Sequence, residues 1–176
     1  MGQRGGHAHR EALTLHERFS VTVAPQLPGP LAELIADLDH ADRTMRTEML
    51  IEYADRFEEV PPEIATRPFP ERNLAPRCES EAYVFTSERE DGTLKFWFAV
   101  ENPQGISAKA WAAILDESLS GQPLEVVARV PQDVIFRIFG QGLSMGKGQG
   151  MIGMLDLVQH QARSHLDAAR RREQGL

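Results

Sequence analysis

The chain has 176 residues, with 26 acidic and 19 basic side chains and a formal net charge of −7 at pH 7. This length fits one domain, and a hydrophobic fraction of 41% is sufficient for a packed core. The negative charge argues against nucleic acid or an anionic membrane as the main partner, because both would repel the chain. No apolar run reaches the roughly 20 residues of a membrane span, and the N-terminus lacks the apolar centre of a signal peptide, so we expect a cytoplasmic protein.

The N-terminal part of the chain is predicted to contain an extension, two helices and a stiff loop. Residues 1–26 are polar and rich in glycine and histidine, and we interpret them as a mobile extension. Apolar residues at helical spacing predict a first helix from Leu31, and Asp39 is the predicted N-cap of a second. The predicted inward residues are Leu31, Leu34, Ile35 and Leu38, followed by Met45, Met49, Leu50 and Tyr53. Five prolines between Pro61 and Pro76 exclude a regular helix in that stretch.

The centre of the chain carries a hairpin signal. Residues 81–87 and 93–100 are rich in aromatic and β-branched side chains, and an Asp-Gly pair lies between them. This pattern predicts two antiparallel strands joined by a turn. A helix is predicted over residues 106–119, with Trp111 on its inward face.

The C-terminal third is predicted to be mostly helical. The segment 124–130 has no clear pattern, and residues 131–139 are predicted to form a short helix whose first residue is a proline. A long helix is predicted over residues 148–166, followed by a frayed basic tail over residues 167–176. Its predicted inward residues are Met151, Met154, Leu155, Val158 and Ala162. Residues 27–166 are therefore predicted to form a single α+β domain, in which a small antiparallel sheet packs against N-terminal and C-terminal helices.

The single cysteine, Cys78, is the most informative residue of the chain. One thiol excludes an internal disulfide, a Cys-x-x-Cys redox pair and a zinc or iron–sulfur site built from cysteines. It can still act as a nucleophile or carry a transferred atom. A buried cysteine that serves as a small hydrophobic residue is the common alternative. However, Arg77, Glu79 and Glu81 flank this thiol, whereas core cysteines usually lie within apolar runs.

Two basic residues are candidates to activate this thiol, because nearby positive charge stabilises a thiolate. Arg77 is adjacent to Cys78 in sequence, although neighbours in an extended loop point to opposite sides. Lys147 can approach Cys78 only if the fold brings the two together. The alternative for Lys147 is an ordinary solvated lysine.

The glycine-rich segment 146–153 resembles two nucleotide-binding motifs but lacks the context of either. Its G-x-G-x-x-G pattern has no βαβ unit around it, and its Gly-Lys-Gly stretch lacks the other residues of a P-loop. We interpret these glycines as a tight loop before the last helix that packs close to another backbone. Met145 is interpreted as a core residue, and a docking surface is the alternative.

Six segments occur in order between residues 27 and 166 of this chain. They are Phe57-Glu-Glu-Val-Pro-Pro-Glu-Ile64, Asn73-Leu-Ala-Pro-Arg-Cys-Glu-Ser80, Tyr83-Val-Phe85, Glu101-Asn-Pro103, Lys109-Ala-Trp-Ala-Ala-Ile-Leu115 and Gly142-Leu-Ser-Met-Gly-Lys-Gly-Gln-Gly-Met-Ile-Gly-Met154. This series resembles the SufE-type sulfur acceptors of iron–sulfur cluster assembly. Several positions depart from the family pattern. Arg77 replaces the usual glycine before the cysteine, Tyr83 stands where tryptophan is frequent, and Lys147 replaces an arginine.

The resemblance implies a SufE/IscU-like α+β fold and a sulfur carrier rather than an enzyme. In such a carrier, Cys78 accepts persulfide sulfur from a separate SufS-type cysteine desulfurase, stimulates that enzyme and passes the sulfur to a SufBCD-type scaffold. Lys147 would stabilise the thiolate or persulfide, and Arg77 would give electrostatic support. Pyridoxal phosphate (PLP) would belong to the desulfurase, and we expect no cofactor or metal site in this chain.

Two alternatives stay open at this point. The chain could be a regulatory module that docks on a desulfurase without carrying sulfur, with Cys78 incidental. It could also be a thiol hydrolase, which would turn over a substrate on its own. Replacing Cys78 with serine separates the first alternative from a carrier, because a pure regulator would still stimulate its partner.

Overall fold

Two helices precede the sheet in a computed structural model that describes residues 26–175. Helix α1 spans Gly29–His40 and helix α2 spans Arg43–Asp55. The four inward residues predicted for α1 are all buried. The predicted N-cap of α2 was wrong: Asp39 lies within α1, and the Asp42 carboxylate accepts the amide of the third residue of α2 at 2.9 Å. The predicted extension lies outside the described residues, apart from Gln26.

Helix α2 lies at the surface and covers the core with one face only. Met49, Leu50 and Tyr53 are partly buried against the core, as predicted. Met45 is exposed, so its predicted inward position was wrong. Because it lies in the first turn of a helix that has no fully buried residue, its side chain extends past the edge of the core.

The predicted hairpin is confirmed. Strands β1 (Ala82–Glu88) and β2 (Leu94–Val100) pair antiparallel along all seven residues of each strand. In the connecting turn, Gly92 has a φ of 78°, a conformation that favours glycine. The Asp91 carboxylate accepts hydrogen bonds from the hydroxyl and amide of Thr93, and these bonds hold the pKa of Asp91 below its usual range.

Both faces of the hairpin are covered, because its side chains alternate between two clusters. The inner cluster is the main core, where Val84, Phe96 and Phe98 pack against the helices. The outer cluster lies under the Pro-rich segment 57–70. In this outer cluster, the Phe69 ring lies 5.2 Å from the rings of Tyr83 and Phe85, measured between centroids.

An ion-pair cluster holds the Pro-rich segment against the sheet. The Arg67 guanidinium donates to the carboxylates of Glu59 and Glu101, the latter just after β2, and these bonds raise its pKa above the usual value. The same guanidinium lies 4.7 Å from the centre of the Phe69 ring. The segment has no regular helix, as its prolines predict, but it turns at residues 61–65 and is fixed to the domain at several points.

Four helices follow the hairpin in the described part of the chain. They are α3 (Ile106–Leu119), α4 (Leu124–Val127), α5 (Val134–Phe139) and α6 (Met145–Glu173). Helix α3 has the predicted bounds, and α4 lies in the segment that the sequence left ambiguous. The predicted start of α5 was wrong, because Pro131 lies three residues before that helix, in a turn where its carbonyl accepts the Val134 amide at 3.3 Å.

Helix α6 is longer at both ends than the sequence predicts. It begins at Met145, where the Ser144 hydroxyl caps it by accepting the Lys147 amide at 3.4 Å. It continues to Glu173, so most of the tail predicted to be frayed is helical. Basic residues at a helix C-terminus are favourable because they oppose the negative end of the helix dipole, and three arginines lie in this last turn. None of the helices within residues 26–175 has the length and hydrophobicity needed to cross a membrane.

Candidate functional site

Cys78 lies at the centre of a short, closed loop that we call the thiol loop (residues 76–81). The Ala75 amide donates to the Ala82 carbonyl at 2.8 Å, and this bond closes the base of the loop. Just before it, the buried Asn73 side chain donates to a β1 carbonyl at 2.7 Å. The thiol loop is therefore an extension of the hairpin, anchored where β1 begins.

The thiol loop begins with a tight turn that places Arg77 in an unusual backbone conformation. The Cys78 amide donates to the Ala75 carbonyl at 3.4 Å, with Pro76 and Arg77 between them. Arg77 has a φ of 58°, which lies in the left-handed region. A proline at the second position of the turn and a positive φ at the third position match a type II turn. This type of turn favours glycine at its third position. This geometry explains why the SufE-type loop described above usually has glycine at the position of Arg77.

We expect Arg77→Gly to stabilise the fold, because a left-handed residue other than glycine costs about 1–2 kcal/mol. The greater freedom of glycine in the unfolded chain offsets about 0.5–1 kcal/mol of this gain. The net increase in the free energy of unfolding should be up to about 1.5 kcal/mol, measurable by urea denaturation. Arg77→Ala is the matched control, because it removes the charge but keeps the Cβ atom. Equal stability of the two variants would contradict backbone strain at this position.

Three glycines on one face of α6 form the surface on which the thiol loop lies. Gly146, Gly150 and Gly153 are spaced by four and three residues, which places them on the same side of the helix. A Cβ atom on Gly150 would lie 3.0 Å from the Cα of Cys78, and one on Gly153 would lie 2.4 Å from the carbonyl oxygen of Pro76. Only glycine allows the loop backbone to approach the helix this closely.

This geometry corrects part of the interpretation of the glycine-rich segment. Residues 146–153 are helical and do not form a loop before the helix. The expected close approach to another backbone does occur, and that backbone is the thiol loop. The spacing of the three glycines was the sequence signal for this helix face.

Cys78 and Lys147 line the same cavity, which has a volume of about 400 Å³ and which we call the thiol cavity. The Cys78 side chain is half-buried, with its sulfur 3.3 Å from the point that a Cβ atom on Gly150 would occupy. The N-terminal residues of α3 and of α6 also line this cavity. Helix N-termini carry partial positive charge and unpaired amides, so this arrangement favours an anion beside the thiol.

Two side chains of opposite charge lie beside the thiol. Lys147 is exposed and forms no ion pair within the described residues. Glu79 follows Cys78 and lies against the first turn of α6, where its carboxylate would be 2.5 Å from a Cβ atom on Gly146. A carboxylate is favourable at that helix end, and Glu79 lines the thiol cavity together with Lys147.

The structure places Arg77 apart from this arrangement. Its side chain is exposed and lines a separate surface depression, together with Pro76 and Glu81. Cys78 lies between that depression and the thiol cavity and lines both. The fold thus brings Lys147, and not Arg77, into the thiol cavity with Cys78, and the electrostatic role of Arg77 stays a prediction.

Two exposed apolar side chains lie near the thiol cavity, and the sequence did not predict either. Met145 is 79% exposed at the first position of α6, so its interpretation as a core residue was wrong. Ile106 is 56% exposed at the first position of α3 and lines the cavity. Each side chain lies at the end of a helix where none of the elements in the described part of the chain covers it. Ser144 before the glycine-rich stretch was the signal for the earlier helix start.

Comparisons with known proteins agree with this geometry. Residues 32–162 match the family model for SufE, the Fe–S metabolism associated domain. The chain is 22% identical over 144 residues to an uncharacterized SufE-like protein of Mycobacterium tuberculosis, from strain CDC 1551 / Oshkosh and from strain ATCC 25618 / H37Rv. Each of these matches covers 81% of this chain and 98% of the relative.

A solved structure has the same fold. It is the solution structure of a hypothetical protein from Thermus thermophilus, with a TM-score of 0.63 and 24% sequence identity. The alignment covers 81% of this chain and 99% of that chain. The family match spans well over half of the sequence and includes Cys78, the glycine face of α6 and both ends of the thiol loop. The chain therefore belongs to the SufE family.

Proposed function

We propose that this chain is a sulfur-acceptor protein in which Cys78 takes sulfane sulfur from a SufS-type cysteine desulfurase. The chain stimulates that desulfurase and passes the sulfur to a SufBCD-type iron–sulfur scaffold. One observation carries the proposal: the sole thiol lies at the centre of an anchored loop, beside a lysine and two helix N-termini. A lone thiol suits a carrier, because no second thiol of the chain can displace the sulfur.

The proposed transfer is a thiol–disulfide exchange. The Cys78 thiolate attacks the outer sulfur of the desulfurase persulfide, the sulfur–sulfur bond of the donor breaks, and the desulfurase cysteine leaves as a thiolate. A new sulfur–sulfur bond forms on Cys78. The PLP of the desulfurase releases the sulfur from L-cysteine, so this chain needs no cofactor for its part of the reaction.

The thiol cavity suits a cysteine that carries an additional sulfur atom. Its volume of about 400 Å³ leaves room for the outer sulfur of a persulfide beside the half-buried thiol. The ammonium group of Lys147 and the N-termini of α3 and α6 favour the negative charge of that sulfur. We propose that Lys147 stabilises the thiolate before the transfer and the persulfide after it.

Desulfurase turnover with Cys78→Ser tests this proposal against the regulatory alternative. We expect the wild-type chain to raise turnover, and Cys78→Ser to leave it at the rate of the desulfurase alone, because the serine hydroxyl cannot accept the sulfur. Alanine release from L-cysteine measures the turnover. Serine is close to cysteine in volume, and circular dichroism checks that the fold is retained. Full stimulation by Cys78→Ser would instead identify a regulatory module and contradict the carrier role.

A further inference from the structure

A second cavity adjoins the thiol cavity. It has a volume of about 730 Å³ and lies between the start of α2, the start of α3 and the segment that joins α5 to α6. Ser107 and Lys147 line both cavities, so these two side chains form the wall between them. We call this second space the basic cavity.

The charge of the basic cavity is opposite to that of the chain. Among residues 26–175, its lining includes Arg43, Arg46 and Lys147 and no aspartate or glutamate, although the chain has a net charge of −7. Within the described residues, none of the three forms an ion pair. A concave surface lined by one sign of charge raises the local concentration of ions of the other sign. The basic cavity therefore favours an anionic ligand.

The central cation of this group is fixed in position without a counter-ion. The Arg46 guanidinium donates to the carbonyl oxygens of Leu38 at 2.7 Å and of Ile138 at 3.0 Å. These bonds join α2 to the C-terminal ends of α1 and α5. A further bond to the Arg137 carbonyl oxygen also orders the guanidinium. These helix-end carbonyls carry only partial negative charge, and Arg46 has no carboxylate partner within the described residues.

The remaining lining suits a small organic molecule. Leu50, Phe139 and Leu143 are partly buried and supply apolar surface beside the cations. Cavities of about 300–1,000 Å³ that combine apolar walls with a few polar groups are typical small-molecule sites. Because Ser107 and Lys147 line both cavities, a ligand in the basic cavity lies next to the cavity that contains Cys78.

We propose that the basic cavity binds the carboxylates of a small anionic thiol, and that this thiol removes the sulfane sulfur from Cys78. The proposal rests on the proposed function, since it requires a persulfide on Cys78. The small thiolate attacks the outer sulfur of the protonated form of that persulfide, a new sulfur–sulfur bond forms, and the bond to Cys78 breaks. Cys78 leaves as a thiolate and the small molecule leaves as a persulfide that keeps the proton of the transferred sulfur, so no oxidant or reductant is consumed.

Chemical loading makes the test independent of any desulfurase. The purified chain is loaded with sodium disulfide and freed of excess reagent, and mercaptosuccinate, a dicarboxylate thiol, or uncharged thioglycerol is then added. Intact mass spectrometry follows the loss of sulfur from Cys78, and each rate is divided by the thiolate concentration. We expect mercaptosuccinate to react about tenfold faster at low salt, the effect of one hydrogen bond to a charged group, and to lose this advantage at high salt.

Arg43→Glu tests the site itself. Arg43 is exposed at the first position of α2. A carboxylate there interacts favourably with the positive end of the helix dipole, so the fold should be retained. We expect this variant to lose the preference for mercaptosuccinate. Arg171→Glu, an exposed position near the far end of α6, is the matched control and should keep that preference.

Three results would overturn this inference. Equal rates for the two thiols in the wild type would contradict an anion site, and a preference retained in Arg43→Glu would place the site elsewhere. If Arg43→Glu lowered only the loading by a desulfurase, the basic cavity would instead receive an acidic segment of that protein. Loading with sodium disulfide bypasses the desulfurase. The inference about the basic cavity can therefore fail while the proposed transfer from a desulfurase to Cys78 still holds.

Discussion

Trp111→Ala is expected to lower the free energy of unfolding by about 3–5 kcal/mol, the usual cost of truncating a buried large aromatic side chain. Trp111 is completely buried in α3. Its indole nitrogen donates to the Met151 carbonyl of α6 at 3.0 Å, and its ring meets Phe139 edge-on with 6.0 Å between centroids. This side chain therefore joins the two helices whose N-termini line the thiol cavity. Urea denaturation measures the change.

Trp111→Phe is the matched control for this prediction. Phenylalanine keeps much of the buried apolar surface but cannot donate to Met151, so the expected loss is smaller than for alanine. If Trp111→Ala were as stable as the wild type, α3 and α6 would not pack through this side chain. This result would also remove the support for the position of the thiol cavity.

Gly153→Ala is expected to displace the thiol loop and to destabilise the fold by about 1–3 kcal/mol, the range for overpacking. The added Cβ atom would lie 2.4 Å from the carbonyl oxygen of Pro76, which is backbone and cannot rotate away. Either the loop or the helix must move. We expect the loop to move, because α6 is fixed to α3 and α4 along its length. Iodoacetamide should then alkylate Cys78 faster than in the wild type.

Gly148→Ala is the matched control on the same helix. Its Cβ atom would lie 3.7 Å from Leu143 and 3.8 Å from Phe136, which is ordinary van der Waals contact. Alanine is favoured over glycine within a helix by about 1 kcal/mol, so this variant should gain stability and alkylate at the wild-type rate. If both variants changed stability in the same direction, the glycine face would have no special contact with the thiol loop.

The parts of the fold that the sequence predicted are those with a strong local pattern. Residues 81–87 and 93–100 are rich in aromatic and β-branched side chains and flank an Asp-Gly pair, and this local pattern predicted the hairpin. Helix α3 and the buried stripe of α6 follow from helical spacing. In these segments the local conformational preference and the tertiary packing agree, so the sequence was sufficient to predict their secondary structure.

The start of α6 was missed because local preference and packing disagree there. Gly146, Gly148 and Gly150 each disfavour a helix by about 1 kcal/mol relative to alanine, so this stretch is typical of a loop. The backbone of the thiol loop approaches Gly150 closely at Cys78, and the Glu79 side chain lies against Gly146. That contact joins segments about 70 residues apart and is invisible to local patterns.

The candidate site was predicted in part. Cys78 stood out because it is the sole thiol among charged neighbours, and Lys147 was a candidate because of its positive charge and because charge at its position matches the SufE pattern. The structure brings these two residues to one cavity. The basic cavity was not predicted, because Arg43 and Arg46 reach Lys147 only through the packing of α2 against the segment before α6.

The most direct test of the sulfur-acceptor role is the intact mass of the chain after incubation with a cysteine desulfurase, PLP and L-cysteine, recorded without reductant. We predict a gain of one sulfur atom that maps to Cys78, is removed by dithiothreitol and is absent from Cys78→Ser. An unchanged mass, while alanine release shows that the desulfurase is active and stimulated by this chain, would contradict the carrier role.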